Sequence, residues 1–268
     1  MGGIAVAIAP ASTRATVAAV FQGSAPLQSL MSMEGIAFAA RETAVVIAAG
    51  AAFLLGQRLN AVGVTGGISS GKSALSAAIA DQLGERAVLL DADEISHRLQ
   101  RPGTPLHDRI VREFGEEHVC DGKGRLDRRK LGLVVFGDAG CRRRLNALTH
   151  PAIGAEIARL AAWHGLVLGK VVVIDAALLL ASPALGWLCW PILVVTCDPA
   201  EQRRRLEARD PDLGPDAAAA RIAAQPSAAE LLSRAGWAGR RICNDGSVDA
   251  LRRRAAQEGA AIIAALGI

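Results

Sequence analysis

The chain has 268 residues, enough for one large α/β domain or for one domain with insertions. Its 30 basic and 26 acidic side chains leave a net charge of only +4, so the charge balance does not indicate a nucleic-acid partner. The chain has no Tyr and only 5 Phe, so it offers no aromatic platform for stacking single-stranded bases. Its five cysteines include no Cys-x-x-Cys pair, which argues against a disulfide framework or a zinc site and favours the reducing cytoplasm.

Residues 1–59 are predicted to be an N-terminal extension that is poorly ordered or reflects a start codon assigned too early. They are rich in Ala, Val, Gly and Ser and contain no acidic residue before Glu34. The longest apolar stretch, Ala44–Gly56, is shorter than the about 20 residues that a membrane span needs, and a helix is predicted there instead. Arg14 is the only basic residue among the first thirty, so signal and transit peptides are poorly supported, and no stable membrane association is expected.

From residue 60 onward, strand-like runs alternate with helix-like runs. This alternation predicts an α/β domain over residues 60–268, with a parallel sheet covered by helices on both faces. Two of the runs, Val171–Ile174 and Ile192–Val195, are continuously apolar, which is typical of buried central strands. The predicted strands are Ala61–Thr65, Ala87–Leu90, Val171–Asp175, Ile192–Cys197 and Arg241–Cys243.

The first strand runs directly into a Gly-x-x-x-x-Gly-Lys-Ser phosphate loop, Gly66–Ser73, which precedes a helix-like stretch. Glycines in such a loop let backbone N–H groups point at phosphate oxygens, and the helix N-terminus adds partial positive charge. Lys72 is predicted to reach the β- and γ-phosphates of ATP, and Ser73 to offer a hydroxyl to Mg²⁺. The alternative is an ordinary glycine-rich turn before a helix. The predicted nucleotide contacts are Gly66, Gly67, Ile68, Ser69, Ser70, Gly71, Lys72, Ser73 and Ala74.

The second strand ends at Asp91-Ala92-Asp93, where ligands bind in open parallel sheets. A kinase that phosphorylates a hydroxyl needs a carboxylate that accepts or aligns the hydroxyl proton. Asp93 is predicted to be this catalytic carboxylate. The alternative is that Asp93 caps a helix beginning at Glu94.

Two segments interrupt the alternation. The first, 102–162, is long, charged and predicted to be mostly helical, and the second, 210–240, is punctuated by prolines. Before the second segment, Gln202, Arg205 and Arg209 have the spacing of one helix face. Arginine suits phosphates because its planar fork donates two parallel hydrogen bonds, so at least one of these arginines is predicted to contact the transferred phosphoryl group. The alternative is an exposed basic helix.

These elements, in this order, resemble the dephospho-coenzyme A kinases, and the resemblance extends from about Ala61 to Leu251. The phosphate loop alone indicates only the superfamily of phosphate-loop kinases, and the motifs in the first interruption are specific to the family. The matching pieces are Thr65–Ser73, Asp91–Asp93, Pro102-Gly103, Gly124–Arg128, His150-Pro151, Gln202-x-x-Arg205-x-x-x-Arg209, Arg221-x-x-x-Gln225 and Asn244–Gly246.

The resemblance implies ATP-dependent phosphorylation of the ribose 3′-hydroxyl of dephospho-coenzyme A. It implies an acceptor-binding insertion over about 94–162, a lid over about 205–236, and a protein that acts on ATP and dephospho-coenzyme A, with a monomer favoured. Implied catalytic residues are Asp93, Lys72, Arg205 and Arg209. Asn244 is implied near adenine, and Asp175 holds either a Mg²⁺-bound water or a strand-end hydrogen bond.

The chain departs from the family pattern at several positions. The family usually carries an aromatic residue and then a glutamate after Leu178-Leu179, whereas this chain continues Leu180-Ala181, and Ala177 replaces a preceding proline. His150-Pro151 matches a family motif, but Pro also suits the first turn of a helix, so a helix start is predicted there.

The alternative functions are a phosphate-loop kinase for another nucleotide or small hydroxyl acceptor, and a catalytically weakened nucleotide-binding regulator or basic nucleic-acid binder.

Overall fold

The computed structural model describes residues 59–136, 138–211 and 213–266. The predicted N-terminal extension, 1–59, and the predicted helix at 44–56 therefore lie outside the described residues, Leu59 apart. None of the helices in the described ranges combines the length and the apolar composition needed to cross a bilayer.

A five-stranded, entirely parallel sheet forms the centre of the fold, in the order β2-β3-β1-β4-β5. The predicted α/β architecture is confirmed, with strand ends that differ from the predictions by one or two residues. Every residue of β3 and β4 is buried because each strand has a neighbour on both sides and helices on both faces. The strands are β1 (Ala61–Gly66), β2 (Ala87–Asp91), β3 (Val171–Asp175), β4 (Ile192–Thr196) and β5 (Gly239–Cys243).

Helices connect the strands and fill both interruptions. The first interruption is mostly helical, as predicted, and carries a small core of its own around Leu106, Ile110 and Phe114. The helices are α1 (Lys72–Leu83), α2 (Ala92–Leu99), α3 (Pro105–Phe114), α4 (Glu116–Val119), α5 (Arg128–Phe136), α6 (Ala139–Ala162), α7 (Pro183–Leu188), α8 (Pro199–Arg209), α9 (Pro215–Ala223), α10 (Ala228–Ala235) and α11 (Val248–Leu266).

The strands bury alternate side chains against two different groups of helices. Val62 and Val64 of β1 pack against α1 and α11, whereas Ala61 faces a cluster that includes α2, α6 and α10. Helix α1 supplies Leu75 and Ile79, which are fully buried and four residues apart on one face. The phosphate loop that precedes α1 is therefore held between the sheet and a tightly packed helix.

The alternative helix start at Glu94 and the helix start predicted at His150-Pro151 are both wrong. Helix α2 begins at Ala92 rather than Glu94, and its N-cap is Asp91, whose carboxylate accepts hydrogen bonds from Asp93 N and Glu94 N. His150 and Pro151 lie inside α6, which runs through them without interruption. A proline inside a helix removes one backbone hydrogen bond. The helix nevertheless spans 24 residues and buries Ile157 and Ala161 in the core after the proline.

Candidate active site

The phosphate loop leaves β1 where the strand order reverses, because β2 and β3 follow on one side and β4 and β5 on the other. Ligands of open α/β sheets bind in the crevice at such a switch point. A cavity of about 450 Å³ opens there. Its lining includes the nine loop residues predicted to contact the nucleotide, 66–74, but not the tenth predicted contact, Asn244. The other lining residues are Asp93, Ala177, Arg205, Arg209 and Gln225. The fold thus brings together loop, carboxylate and arginines that lie up to 143 positions apart in the chain.

Left-handed backbone and close contacts shape the loop. Gly71 has a φ of 89°, and a Cβ at this position would run into Asn244 Nδ2, so only glycine fits without rearrangement. Ser69 also has a positive φ, 57°, although it carries a side chain. Its hydroxyl is buried without a hydrogen-bond partner among the described residues. Ser69 is therefore a strained position in an otherwise glycine-supported loop.

Ser69→Gly is expected to raise the free energy of unfolding of the ATP-free protein by about 1 kcal/mol. Removing the left-handed strain and removing the buried unpaired hydroxyl each raise the free energy of unfolding by about 1 kcal/mol. The greater freedom of glycine in the unfolded chain lowers it by about 0.5–1 kcal/mol. Urea denaturation measures the difference. Ser69→Ala is the matched control because it removes the hydroxyl and keeps the strain, so it should gain less. A Ser69→Gly protein less stable than the wild type would contradict the strain.

Lys72 and Asp175 form an ion pair behind the loop. Lys72 Nζ lies 2.5 Å from Asp175 Oδ1, and the Asp175 side chain is only 1% exposed. Ser76 Oγ donates to the other oxygen, Asp175 Oδ2, at 2.9 Å. Lys72 Nζ also lies 3.4 Å from Ser73 Oγ. Both carboxylate oxygens are thus paired, and the ammonium group is held next to the hydroxyl predicted to meet Mg²⁺.

Asn244 supports the phosphate loop through a side-chain hydrogen bond. Its side chain is buried, and Nδ2 donates to the Ser70 carbonyl at 2.8 Å, while its backbone N–H donates to Thr196 O at 2.7 Å. Asn244 lines a separate cavity of about 340 Å³, together with Arg241 and Arg254. The predicted adenine contact stays a prediction, but the amide N–H group already has a structural role.

Asp93 is exposed at the start of α2, and its carboxylate makes no hydrogen bond or ion pair within the described ranges. The alternative that Asp93 acts as the helix cap is wrong, because Asp91 caps α2. Asp93 also lines a second cavity of about 670 Å³, on the side of the sheet covered by α6. Among the residues that the structure describes, only Asp93 and Ala177 line both cavities. An unpaired carboxylate therefore stands at the boundary between the phosphate cavity and a larger cavity.

The larger cavity is mostly apolar, and Asp93 is the only carboxylate among its lining residues. Helix α6 contributes Thr149 and the exposed His150 to its lining. The His150 side chain makes no hydrogen bond or ion pair among the described residues. Ala181 lines the wall where the family usually has a glutamate. The departure noted in the sequence thus falls on this cavity and not on the phosphate loop.

Helix α8 directs the predicted arginines toward the phosphate cavity. Arg205 Nε donates to Glu201 Oε1 at 2.7 Å, and Arg205 NH2 approaches the Gly246 carbonyl at 3.4 Å. Hydrogen bonds from Arg204 and, to a smaller extent, from Arg205 lower the pKa of the Glu201 carboxyl to about 2. Glu201 is therefore ionised at neutral pH and orients Arg205 along the helix face that Arg209 shares. Arg209 lines the cavity without a partner in the described ranges.

Two glutamines and one serine were not predicted as site residues. Gln202 and Gln225 both bond to the backbone of Ile68, and Ser76 orients Asp175. The signals for the glutamines in the sequence were their helical spacing to Arg205 and Arg221 and their place in two motifs that resemble the family pattern. That spacing predicts a shared face but says nothing about the partner.

The family model of the dephospho-CoA kinases matches residues 60–250. The chain belongs to this family. Members of the dephospho-CoA kinase family are transferases that phosphorylate an alcohol group and catalyse the final ATP-dependent step of CoA biosynthesis. Membership of this kinase family implies ATP as a substrate.

Curated relatives and solved structures agree with this assignment. A dephospho-CoA kinase of Symbiobacterium thermophilum is 45% identical over 193 residues, covering 71% of this chain and 76% of the relative. One of Geobacter sulfurreducens is 38% identical, covering 73% of this chain and 95% of the relative. The dephospho-CoA kinase structure from Campylobacter jejuni has a TM-score of 0.54 and 25% identity, covering 74% of this chain and 94% of that one.

Proposed function

We propose that this chain transfers the γ-phosphoryl group of ATP to the ribose 3′-hydroxyl of dephospho-coenzyme A. The observation that carries the proposal is the unpaired Asp93 carboxylate at the boundary between the phosphate cavity and the larger apolar cavity. In this arrangement ATP phosphates occupy the first cavity and the acceptor occupies the second. A hydroxyl presented at the boundary meets the γ-phosphorus and a proton acceptor together.

The reaction then needs one proton transfer and one in-line displacement. The acceptor oxygen bonds to the γ-phosphorus, the bond from that phosphorus to the β,γ-bridging oxygen breaks, and the hydroxyl proton passes to the Asp93 carboxylate. Backbone N–H groups of the loop, the N-terminus of α1 and Lys72 hold the phosphates. Arg205 and Arg209 stabilise charge that develops on the transferred group. ADP and coenzyme A leave.

The residues present fit a magnesium ion bound together with ATP. Ser73 is exposed and lines the phosphate cavity, and its hydroxyl and the Asp175 carboxylate both lie within 3.4 Å of Lys72 Nζ. Both offer the hard oxygen atoms that Mg²⁺ prefers. In the described ranges, no group of three or more His, Cys, Asp or Glu side chains is arranged to hold a metal by itself. Ser73 would therefore hold the ion directly and Asp175 through water, with phosphates and water completing the shell.

The acceptor-binding insertion over about 94–162 and the lid remain part of the proposal. The lid is better confined to about 205–225 than to 205–236, because α10 buries Leu231 and Ala235 in the core against the sheet. A monomer in the cytoplasm, with no nucleic-acid partner, completes the proposal. The five unpaired cysteines support a reducing compartment.

ADP release by the purified chain with ATP and Mg²⁺ tests the proposed reaction. Dephospho-coenzyme A, adenosine, AMP and shikimate are compared as acceptors, and mass spectrometry identifies the product. Coenzyme A formed only from its precursor supports the proposal. Phosphorylation of another acceptor instead would show a kinase whose specificity follows the altered wall at Ala181. ATP binding without any product would indicate a weakened nucleotide-binding protein.

A further inference from the structure

Two glutamines hold the backbone of Ile68 in the phosphate loop. The Ile68 N–H donates to Gln225 Oε1 at 2.6 Å, and the Ile68 carbonyl accepts a hydrogen bond from Gln202 Nε2 at 2.7 Å. All three residues are partly buried. Both polar backbone groups of one loop residue are thus satisfied by side chains that lie 134 and 157 positions further along the chain.

The neighbouring glycine makes room for this contact. A Cβ at Gly67 would lie 2.7 Å from Gln202 Nε2 and 3.7 Å from Gln225 Oε1. The first distance is too short for a side chain, so Gly67 lets Gln202 approach the loop. The two hydrogen bonds and this open position together form a fitted contact between the loop and the helices.

The two glutamines bracket the arginines that face the phosphates. Gln202 lies on α8 three residues before Arg205 and seven before Arg209, on the same helix face. Gln225 lies just beyond α9. An ion pair of 3.0 Å between Arg221 and Asp210 joins α9 to the end of α8. The segment 202–225 is therefore attached at both of its ends to Ile68.

We propose that Gln202 and Gln225 are positioning residues for phosphoryl transfer, which set where Arg205 and Arg209 stand over the phosphate cavity. This inference rests on the proposed function. A displacement of about 1 Å at a reacting centre can lower a rate about 100-fold, so a loop contact that fixes the helix carrying the arginines affects turnover. Because both glutamines bond to the backbone of Ile68, their loss should lower kcat more than nucleotide affinity.

The two amides have opposite hydrogen-bonding roles, which provides a matched test. The Ile68 N–H requires an acceptor and the Ile68 carbonyl requires a donor, so the orientation of each amide is determined by the backbone. An ionised glutamate is an acceptor only. Gln225→Glu therefore keeps its hydrogen bond, whereas Gln202→Glu sets a carboxylate against the Ile68 carbonyl. Both variants have the same size and add the same charge beside the same loop.

We expect Gln202→Glu to have a kcat at least about tenfold below that of Gln225→Glu, with dissociation constants for a non-hydrolysable ATP analogue within about threefold of each other. Gln225→Glu should itself lose only the few-fold that an added negative charge near phosphates costs. Gln257→Glu, on an exposed part of α11, is the control for the charge alone. Gln202→Met removes the donor without adding charge and should also lower kcat. It keeps the test valid if the glutamate variant does not fold.

Turnover is measured with dephospho-coenzyme A and, independently, as slow ATP hydrolysis with water as the acceptor. If the wild type hydrolyses ATP but does not phosphorylate dephospho-coenzyme A, the proposed function fails and the comparison between the glutamine variants still stands on hydrolysis. Equal kcat values for Gln202→Glu and Gln225→Glu would overturn the positioning role. A loss of ATP-analogue affinity that matches the loss of kcat would overturn it as well, because it would place the glutamines in binding.

Discussion

Asp93→Asn is expected to lower kcat for dephospho-coenzyme A by about 10²–10⁴-fold, the usual contribution of a general base, while ATP affinity stays close to that of the wild type. The asparagine keeps the size of the side chain and loses its ability to accept the hydroxyl proton. The Asp93 carboxylate makes no hydrogen bond or ion pair in the described ranges, so the substitution removes no side-chain contact of the fold. Steady-state ADP release and calorimetric titration with an ATP analogue separate the two effects.

Asp91→Asn is the matched control, because it makes the same change two positions earlier. Asp91 accepts hydrogen bonds from Asp93 N and Glu94 N at 2.8 and 3.2 Å as the cap of α2. Asparagine caps helices about as well as aspartate, so this variant should retain its fold and most of its turnover. Equal losses in the two variants would mean that the start of α2 has to keep its shape, and would remove Asp93 as the proton acceptor.

Lys72→Met is expected to lower both nucleotide affinity and kcat, and to lower the free energy of unfolding as well. The first two effects follow from the loss of a cation that reaches the phosphates. The third follows because the Asp175 carboxylate, 1% exposed, loses the partner 2.5 Å away and keeps only the Ser76 hydroxyl. Removing one member of a largely buried ion pair costs about 3 kcal/mol. Thermal and urea unfolding in the absence of ATP measure this cost.

The double substitution Lys72→Met with Asp175→Asn separates stability from catalysis. Replacing both charged groups removes the uncompensated carboxylate, so most of the lost stability should return. Catalysis should stay low, because the double variant lacks both the phosphate-binding cation and the carboxylate proposed to hold a Mg²⁺-bound water. Activity returning together with stability would show that Lys72 serves the fold and not the phosphates.

The altered wall at Ala181 is expected to leave the phosphate chemistry intact. Ala181 lies with Thr149 and His150 around the space proposed for the acceptor, whereas Lys72 and Arg209 line the other cavity. A lost carboxylate in the first set changes how an acceptor is held. It does not alter how the γ-phosphate is bound, so its effect is expected on the KM for the acceptor and not on ATP affinity.

The sequence by itself determined the strands, the phosphate loop and the chemistry of its ligand. Buried strands are continuously apolar, as in Val171–Ile174, and eight consecutive residues from Gly66 to Ser73 specify the loop, so both signals are local in the chain. Binding of phosphate follows from glycines, a lysine and a helix N-terminus that are adjacent in sequence. The strands and the phosphate loop can therefore be predicted without knowing any contact between residues that are distant in the chain.

Only the tertiary structure decided which polar side chains are structural and which are unpaired. Asp91 and Asp93 are the same residue type two positions apart, and the backbone direction at the end of β2 makes one a helix cap and leaves the other at the cavity boundary. Gln202 and Gln225 form hydrogen bonds with the backbone of Ile68, which lies more than 130 positions earlier in the chain. An amide or carboxylate can serve any partner within about 3 Å, and its neighbours in space are set by the packing of the whole domain rather than by its neighbours in the chain.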